Sequence, residues 1–227
     1  MKKFNFMFVI MFTAVCYADD IADDIIVGET VIISDEMEIK KTEEVTNYTG
    51  NSKAINNCNE IIADKMTYYK KKSDLLAEGK VKLSLKNKKG EPIEASGNLA
   101  KYNTASQTGE IYGDSALIRY FIEGSTVPYT LHAKKINIDR KNQTLRAYDD
   151  VEVITSSGTI HSDNGVFDKN NTSIVFKKDK KRPTVNVNHD GGKGRYEADE
   201  MIFYNKDNRI VMKGSIIGKI KMEKDIK

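Results

Sequence analysis

Ile62-Ala63-Asp64-Lys65-Met66-Thr67-Tyr68 runs through a polar turn into Leu75-Leu76-Ala77-Glu78-Gly79-Lys80-Val81-Lys82-Leu83. Met66 and Tyr68 alternate with Lys65 and Thr67. Beyond the turn the apolar positions resume on the same parity at Leu75 and Ala77, then Val81 and Leu83. A repeat of two is the mark of a half-buried strand; a helix would place its apolar residues three and four apart. The stretch therefore reads as strand, turn, strand. Gly79 inside the second strand points to a bulge or bend.

The same unit recurs six times, a small residue opening it and a glycine usually closing it sixteen positions later. The pairs are Ser34/Gly50, Ala63/Gly79, Gly97/Gly113, Ala133/Asp149, Ser162/Lys178 and Ala198/Gly214. Counting from the small residue, positions three and five are Met37/Ile39, Met66/Tyr68, Ala100/Tyr102, Ile136/Ile138, Gly165/Phe167 and Met201/Phe203. Positions twelve and fourteen are Thr46/Tyr48, Leu75/Ala77, Gly109/Ile111, Leu145/Ala147, Ile174/Phe176 and Ile210/Met212. Turn-forming stretches such as Asn103-Thr104-Ala105-Ser106 and Asp139-Arg140-Lys141-Asn142 separate the two halves of a unit. Self-similarity of this kind decides the architecture. Six hairpins give about twelve long strands, more if the bends break them. The predicted fold is all-β, an antiparallel twisted β-jelly roll open at its ends, with one apolar face that must be buried against something.

Composition narrows the setting. Lys2 and Lys3, the apolar run Phe6 to Phe12 and Cys16-Tyr17-Ala18 read as a cleaved secretory signal peptide over 1–18, too short to span a membrane. A flexible segment follows over 19–30, then the β domain over 31–220 and a charged tail over 221–227. Losing Lys2 and Lys3 lowers the formal charge from +3 to +1, which offers no long-range attraction to nucleic acid. Cys58 is the one cysteine left after cleavage, so no internal disulfide can form; Asn56-Asn57-Cys58-Asn59 reads as a loop. Lys177 to Gly194 is the least regular stretch and reads as an extended loop.

No catalytic constellation stands out. His132 and His161 occupy the equivalent position just before the small residue of their units, which marks a strand-face position. No His/Cys/Asp cluster has ligand spacing for a metal. Asp35, Asp64, Asp163 and Asp199 follow the small residue in four units, but Asn98 and Lys134 replace them elsewhere. That substitution argues against shared acid–base or calcium chemistry and for hydrogen bonding near turns. Lys70-Lys71-Lys72 reads as a solvated turn. Neither an enzyme nor a bound cofactor is expected.

The apolar face has two readings from pattern alone: a closed sandwich core, or a trough open along one side. A carried lipid must hide its acyl chains from water, on the order of 10 kcal/mol for a chain of 12–14 carbons at ~0.8 kcal/mol per methylene. Flexible Met and aromatic side chains suit such a wall.

The quoted stretch resembles the repeat of the organic-solvent-tolerance domain shared by the lipopolysaccharide transport periplasmic protein A family. Ala147-Tyr148-Asp149-Asp150-Val151-Glu152-Val153, Ile160-His161-Ser162-Asp163-Asn164-Gly165-Val166-Phe167-Asp168 and Tyr196-Glu197-Ala198-Asp199 fit the same pattern, and the likeness covers about Val31 to Ile220. It implies a periplasmic carrier of lipopolysaccharide that takes lipid A acyl chains along its interior. Head-to-tail stacking of copies would then bridge inner- and outer-membrane transport components. The side chains expected to line the passage are Met37, Ile39, Met66, Tyr68, Leu75, Leu83, Tyr102, Ile111, Ile136, Ile138, Leu145, Val153, Phe167, Phe176, Met201, Phe203, Ile210 and Met212. The rivals are a membrane-tethered relative with an uncleaved leader and a self-assembling envelope scaffold without lipid cargo.

Overall fold

In the computed structural model the described residues are 30–56, 59–86, 92–120, 128–139, 142, 144–155, 158–168, 173–189, 192–204 and 209–222. They form one antiparallel sheet of sixteen strands. The strands are β1 (Thr30–Ile33), β2 (Glu36–Lys40), β3 (Val45–Asn56), β4 (Asn59–Tyr69), β5 (Asp74–Lys86), β6 (Pro92–Asn103), β7 (Thr108–Tyr120) and β8 (Tyr129–Asp139). They continue as β9 (Thr144–Ile154), β10 (Gly158–Asp168), β11 (Ser173–Lys177), β12 (Thr184–His189), β13 (Gly192–Glu197), β14 (Glu200–Tyr204), β15 (Arg209–Lys213) and β16 (Ile217–Met222). The one helical element among the described residues is a 3-10 turn at Lys70–Lys72.

The sixteen strands are twelve long ones, four of them broken. β1/β2, β11/β12, β13/β14 and β15/β16 each interrupt one long strand at the same level of the sheet, where β3 to β10 bend without breaking. The register slips there in ladder after ladder: between Thr49 and Ser52, Ile62 and Lys65, Glu78 and Val81, Ser96 and Leu99, Tyr112 and Ala116, His132 and Lys135, and Ser162 and Asn164. A bulge repeated in register folds the sheet along a line. One half, the turn half, carries the uniform four-residue connections and runs from β2 to β15; the other carries connections of two to eight residues and runs from β1 to β16.

The line of bends is where the sixteen-residue repeat comes from. Gly50, Gly79 and Gly214 have φ of 76°, 74° and 84°, and Asp149 has 59°. A Cβ on any of these three glycines would lie 2.3–2.5 Å from a carboxylate oxygen of Asp35, Asp64 or Asp199. In these three units the Asp after the small residue thus closes over the bend of the next strand; in the fifth, Asp163 accepts from the Lys181 N–H at 2.7 Å. The Asn51 side chain donates to Asp35 Oδ2 at 3.0 Å, and the Ser215 N–H donates to Asp199 Oδ2 at 2.9 Å. In the fourth unit the polarity is exchanged: Lys134 Nζ lies 2.6 Å from Asp150 Oδ2. Asp35 and Asp199 are hydrogen-bonded bend caps, and Asp64 packs over its bend at Gly79.

Folding the sheet brings its two apolar faces together. The larger core cluster draws Ile111, Ile136, Phe176, Met201 and Phe203 from the turn half and Ile118, Tyr129, Leu131, Val153, Ile160 and Val185 from the other. The Tyr129 and Phe203 rings meet across the halves with centroids 5.7 Å apart. A smaller cluster, built on Tyr48, Ala54, Met66, Leu75 and Val81, fills the N-terminal end, and Leu83 and Ala100 pack against both.

One expectation is corrected. Lys177 to Gly194 is not an extended loop: β12 and the start of β13 lie within it, and only 178–183 leaves the sheet. Val185 and Val187 alternate with Asn186 and Asn188, a strand signature masked by the charged run before Pro183. The last segment is no separate module, because β14 pairs with β11 and β12 with both β10 and β13. The signal peptide, all but Thr30 of the 19–30 segment, Cys58 and residues 223–227 lie outside the described residues.

Candidate functional site

On the turn half the inward side chains form two rows. The row nearest the bend is packed: Tyr48, Met66, Ala77, Ile111, Ile136, Ala147, Phe176 and Met201 are all at most 4 % exposed. The row nearest the turns is looser. Tyr68, Tyr102, Ile138, Leu145, Phe167 and Ile210 are half-buried, while Leu75, Ile174 and Phe203 remain buried. The cross-section is therefore a wedge, closed at its apex and open toward its lips.

Of the eighteen side chains expected to line a passage, eight are fully enclosed: Met66, Leu75, Ile111, Ile136, Val153, Phe176, Met201 and Phe203. Eight are half-buried: Tyr68, Leu83, Tyr102, Ile138, Leu145, Phe167, Ile210 and Met212. Met37 and Ile39, on the edge strand β2, are 48 % and 37 % exposed. The apolar face is thus largely enclosed near the bend and mostly half-buried toward the turns.

A cavity of about 780 Å³ lies beside the seam between the two clusters, at the turn ends of β5 to β9, lined by Leu75, Tyr102, Gly109 and Ile138 from the inner row and by polar residues such as Lys101, Glu110, Asp139 and Arg146. That volume falls within the range of roughly 300–1,000 Å³ typical of small-molecule pockets. Of the small residues near the seam, Gly109 lines this cavity. At Gly109 the cross-strand Tyr102 ring lies flat over the missing side chain, 3.2 Å from where a Cβ would stand. Phe176 covers Gly165 and Tyr196 covers Gly218 in the same way.

Polar groups sit on the outer faces and serve the sheet. Tyr112 donates its hydroxyl to Glu110, and Lys135 pairs with Glu110 at 2.9 Å while lying over the Tyr112 ring. The Tyr112 hydrogen bond, then Lys135, holds the Glu110 carboxyl below its ordinary range; Glu110 in turn raises Lys135. His132 Nδ1 is 2.9 Å from Ser115 Oγ, and His161 Nδ1 is 3.7 Å from Glu152, both strand-face positions. Among the described residues no three His, Cys, Asp or Glu side chains are grouped to hold a metal.

Both ends of the sheet expose apolar edges. Val31, Ile33, Met37 and Ile39 lie at one, and Ile216, Ile217 and Ile220 at the other; they are seven of the nine exposed large hydrophobics. β1 and β2 pair only with β3, and β15 and β16 only with β14 and β13.

Residues 31–144 match the family model described as LptA/(LptD N-terminal domain) LPS transport protein. The chain belongs to this family. Members of the LptA/LptD N-terminal family are transport proteins, in keeping with a fold whose chemistry is apolar surface. A solved structure, LptH from Pseudomonas aeruginosa, is described as the LptA-homologous periplasmic component of a conserved lipopolysaccharide transport device. It aligns with 62 % of this chain and 76 % of its own at 13 % identity, with a TM-score of 0.31. No curated protein sequence matches. What sequence reasoning missed in this family member was the pairing of each Asp with a distant Gly. Its signal was present: Asp35 to Gly50, Asp64 to Gly79 and Asp199 to Gly214 share one spacing.

Proposed function

We propose that this protein is a periplasmic, non-enzymatic carrier of lipopolysaccharide, holding acyl chains in the mouth of the wedge. The observation that carries this reading is the gradient of exposure from apex to lip, with the cavity beside the seam. A ribbon of half-buried apolar side chains, Tyr68, Tyr102, Ile138, Leu145 and Phe167, offers a chain continuous shelter that an isolated surface patch cannot. The fully enclosed members of the lining set hold the two halves together. The apolar free edges support stacking of copies and of transport components at either membrane, since an unpaired strand is a template for another.

The test is a photo-reactive amino acid placed at Ile138 in cells, with Lys65 on the outer face as control. Lipopolysaccharide should be captured from Ile138 and not from Lys65, and Tyr102→Asp should abolish capture while the protein persists. Capture from neither position sinks the carrier reading in favour of an envelope scaffold. Disappearance of the Tyr102→Asp protein would make Tyr102 core and remove the trough assignment.

A further inference from the structure

Elsewhere on the outer faces, residues opposite one another on neighbouring strands carry opposite charges. Lys65 faces Glu78, Glu94 faces Arg119, and Glu200 faces both Lys177 and Lys213. At the C-terminal end the pattern reverses. Lys193 faces Lys221 and Arg195 faces Lys219 in the β13–β16 ladder, all four exposed. Glu197 lies 3.4 Å from Arg195, but Lys193, Lys219 and Lys221 have no ion-pair partner among the described residues. Like charges directly opposite destabilise a sheet, so this quartet is a cost to the fold on its own.

Its place gives it a use. Lys193 and Lys221 are next to the ends of their strands, on the outward face of the sheet. With Asn186 and Asn188 of β12 they line a depression of about 450 Å³. Cross-strand neighbours stand about 5 Å apart and alternate residues along a strand about 7 Å, so the two cation pairs match two adjacent anionic groups. A stacked copy would not neutralise them, because the outward residues of its β1 are Val31 and Ile33.

We infer that Lys193, Arg195, Lys219 and Lys221, on the outward face of β13 and β16, form a subsite for the phosphoryl groups of an amphiphile headgroup. Asn186 and Asn188 are placed to meet its sugar hydroxyls. The inference rests on the carrier reading. Paired cations can share each phosphate through charge-assisted hydrogen bonds.

The experiment is a titration of the purified full chain with bisphosphorylated lipid A and with dephosphorylated lipid A, repeated on Lys219→Gln/Lys221→Gln. The parent should prefer the phosphorylated lipid by on the order of tenfold, two exposed ion pairs' worth, and lose that preference in high salt. The double variant should bind both lipids as the parent binds the dephosphorylated one, with no fall in thermal midpoint. Equal binding of the two lipids by the parent, or a preference that survives the substitutions, overturns the subsite and leaves the carrier standing. Binding of neither lipid sinks both. If the substitutions abolish binding to anionic phospholipid vesicles but leave the lipid A preference intact, the quartet is a membrane contact and the inference fails.

Discussion

Gly79→Ala and Asp149→Gly address equivalent bends and should move stability in opposite directions. At Gly79 the backbone is left-handed, φ 74°, and a Cβ would stand 2.4 Å from Asp64 Oδ2 and 2.9 Å from Asp64 Cβ. The left-handed conformation costs a residue with a side chain about 1–2 kcal/mol. Pushing the Asp64 side chain out of this overlap adds about 1 kcal/mol or more. Gly79→Ala should therefore cost on the order of 3 kcal/mol, a drop of about 6–12 °C in thermal midpoint for a chain of this size. At Asp149, φ 59°, the closing side chain is Lys134, which is long enough to turn away to Asp150. Asp149→Gly relieves the conformational cost but frees the unfolded chain, so it should be neutral or stabilising by up to about 1 kcal/mol. Differential scanning calorimetry and urea midpoints measure both. If Gly79→Ala falls within about 0.5 kcal/mol of the parent, or Asp149→Gly costs as much as Gly79→Ala, the bend-cap account is wrong.

Gly109→Ala should change stability by less than about 1 kcal/mol, because the Tyr102 ring needs to yield only a few tenths of an ångström, yet reduce lipid capture from Ile138 by narrowing the cavity. Phe203→Ala, at a fully enclosed ring tilted against Tyr129, should cost about 3–5 kcal/mol; Phe167→Ala, half-buried, should cost less than half of that in the same urea titration. The Ser215 N–H, then Arg182, holds the Asp199 carboxyl below its ordinary range. A depressed folded-state pKa stabilises above the unfolded value near ~3.9 and is lost as pH falls through the folded one. Asp199→Asn should accordingly lower the midpoint at neutral pH and flatten its further decline in acid.

The hairpins were legible because a period of two needs no partner to be seen. Met66, Tyr68, Leu75 and Ala77 announce both their strands and their shared face, and their cross-strand pairing follows the predicted parity. β12 was hidden because Thr184-Val185-Asn186-Val187 is short and follows six residues, 178–183, that belong to no strand. Alternation also says which side a residue faces without saying how far away the opposite sheet stands. Phe167 and Phe203 share a position in their units, yet Phe203 is fully enclosed and Phe167 half-buried. Phe203 meets the Tyr129 ring, which lies in a different part of the repeat and carries no local mark of the contact.

The small residue that opens each unit has a geometric cause that ties the repeat to its use. Ala63, Ala133, Ser162 and Ala198 are buried at the bend, where the two halves converge and nothing larger fits. One step out along the turn half the wedge admits Met66, Ile136 and Met201; a second step out it holds Tyr68, Ile138 and Phe203. At the C-terminal end Phe203 and Tyr129 fill that width, whereas at the seam Gly109 and its flattened Tyr102 leave it open. A sheet bent about one line must be tight at its apex if it is to be loose at its lips. Its own core supplies the stiffness, and the cavity beside β5 to β8 is the room that the proposed carrier role requires. On that proposal stability and carriage draw on successive rows of the same strands, so a substitution at the apex should change folding first and one at the lip should change cargo first.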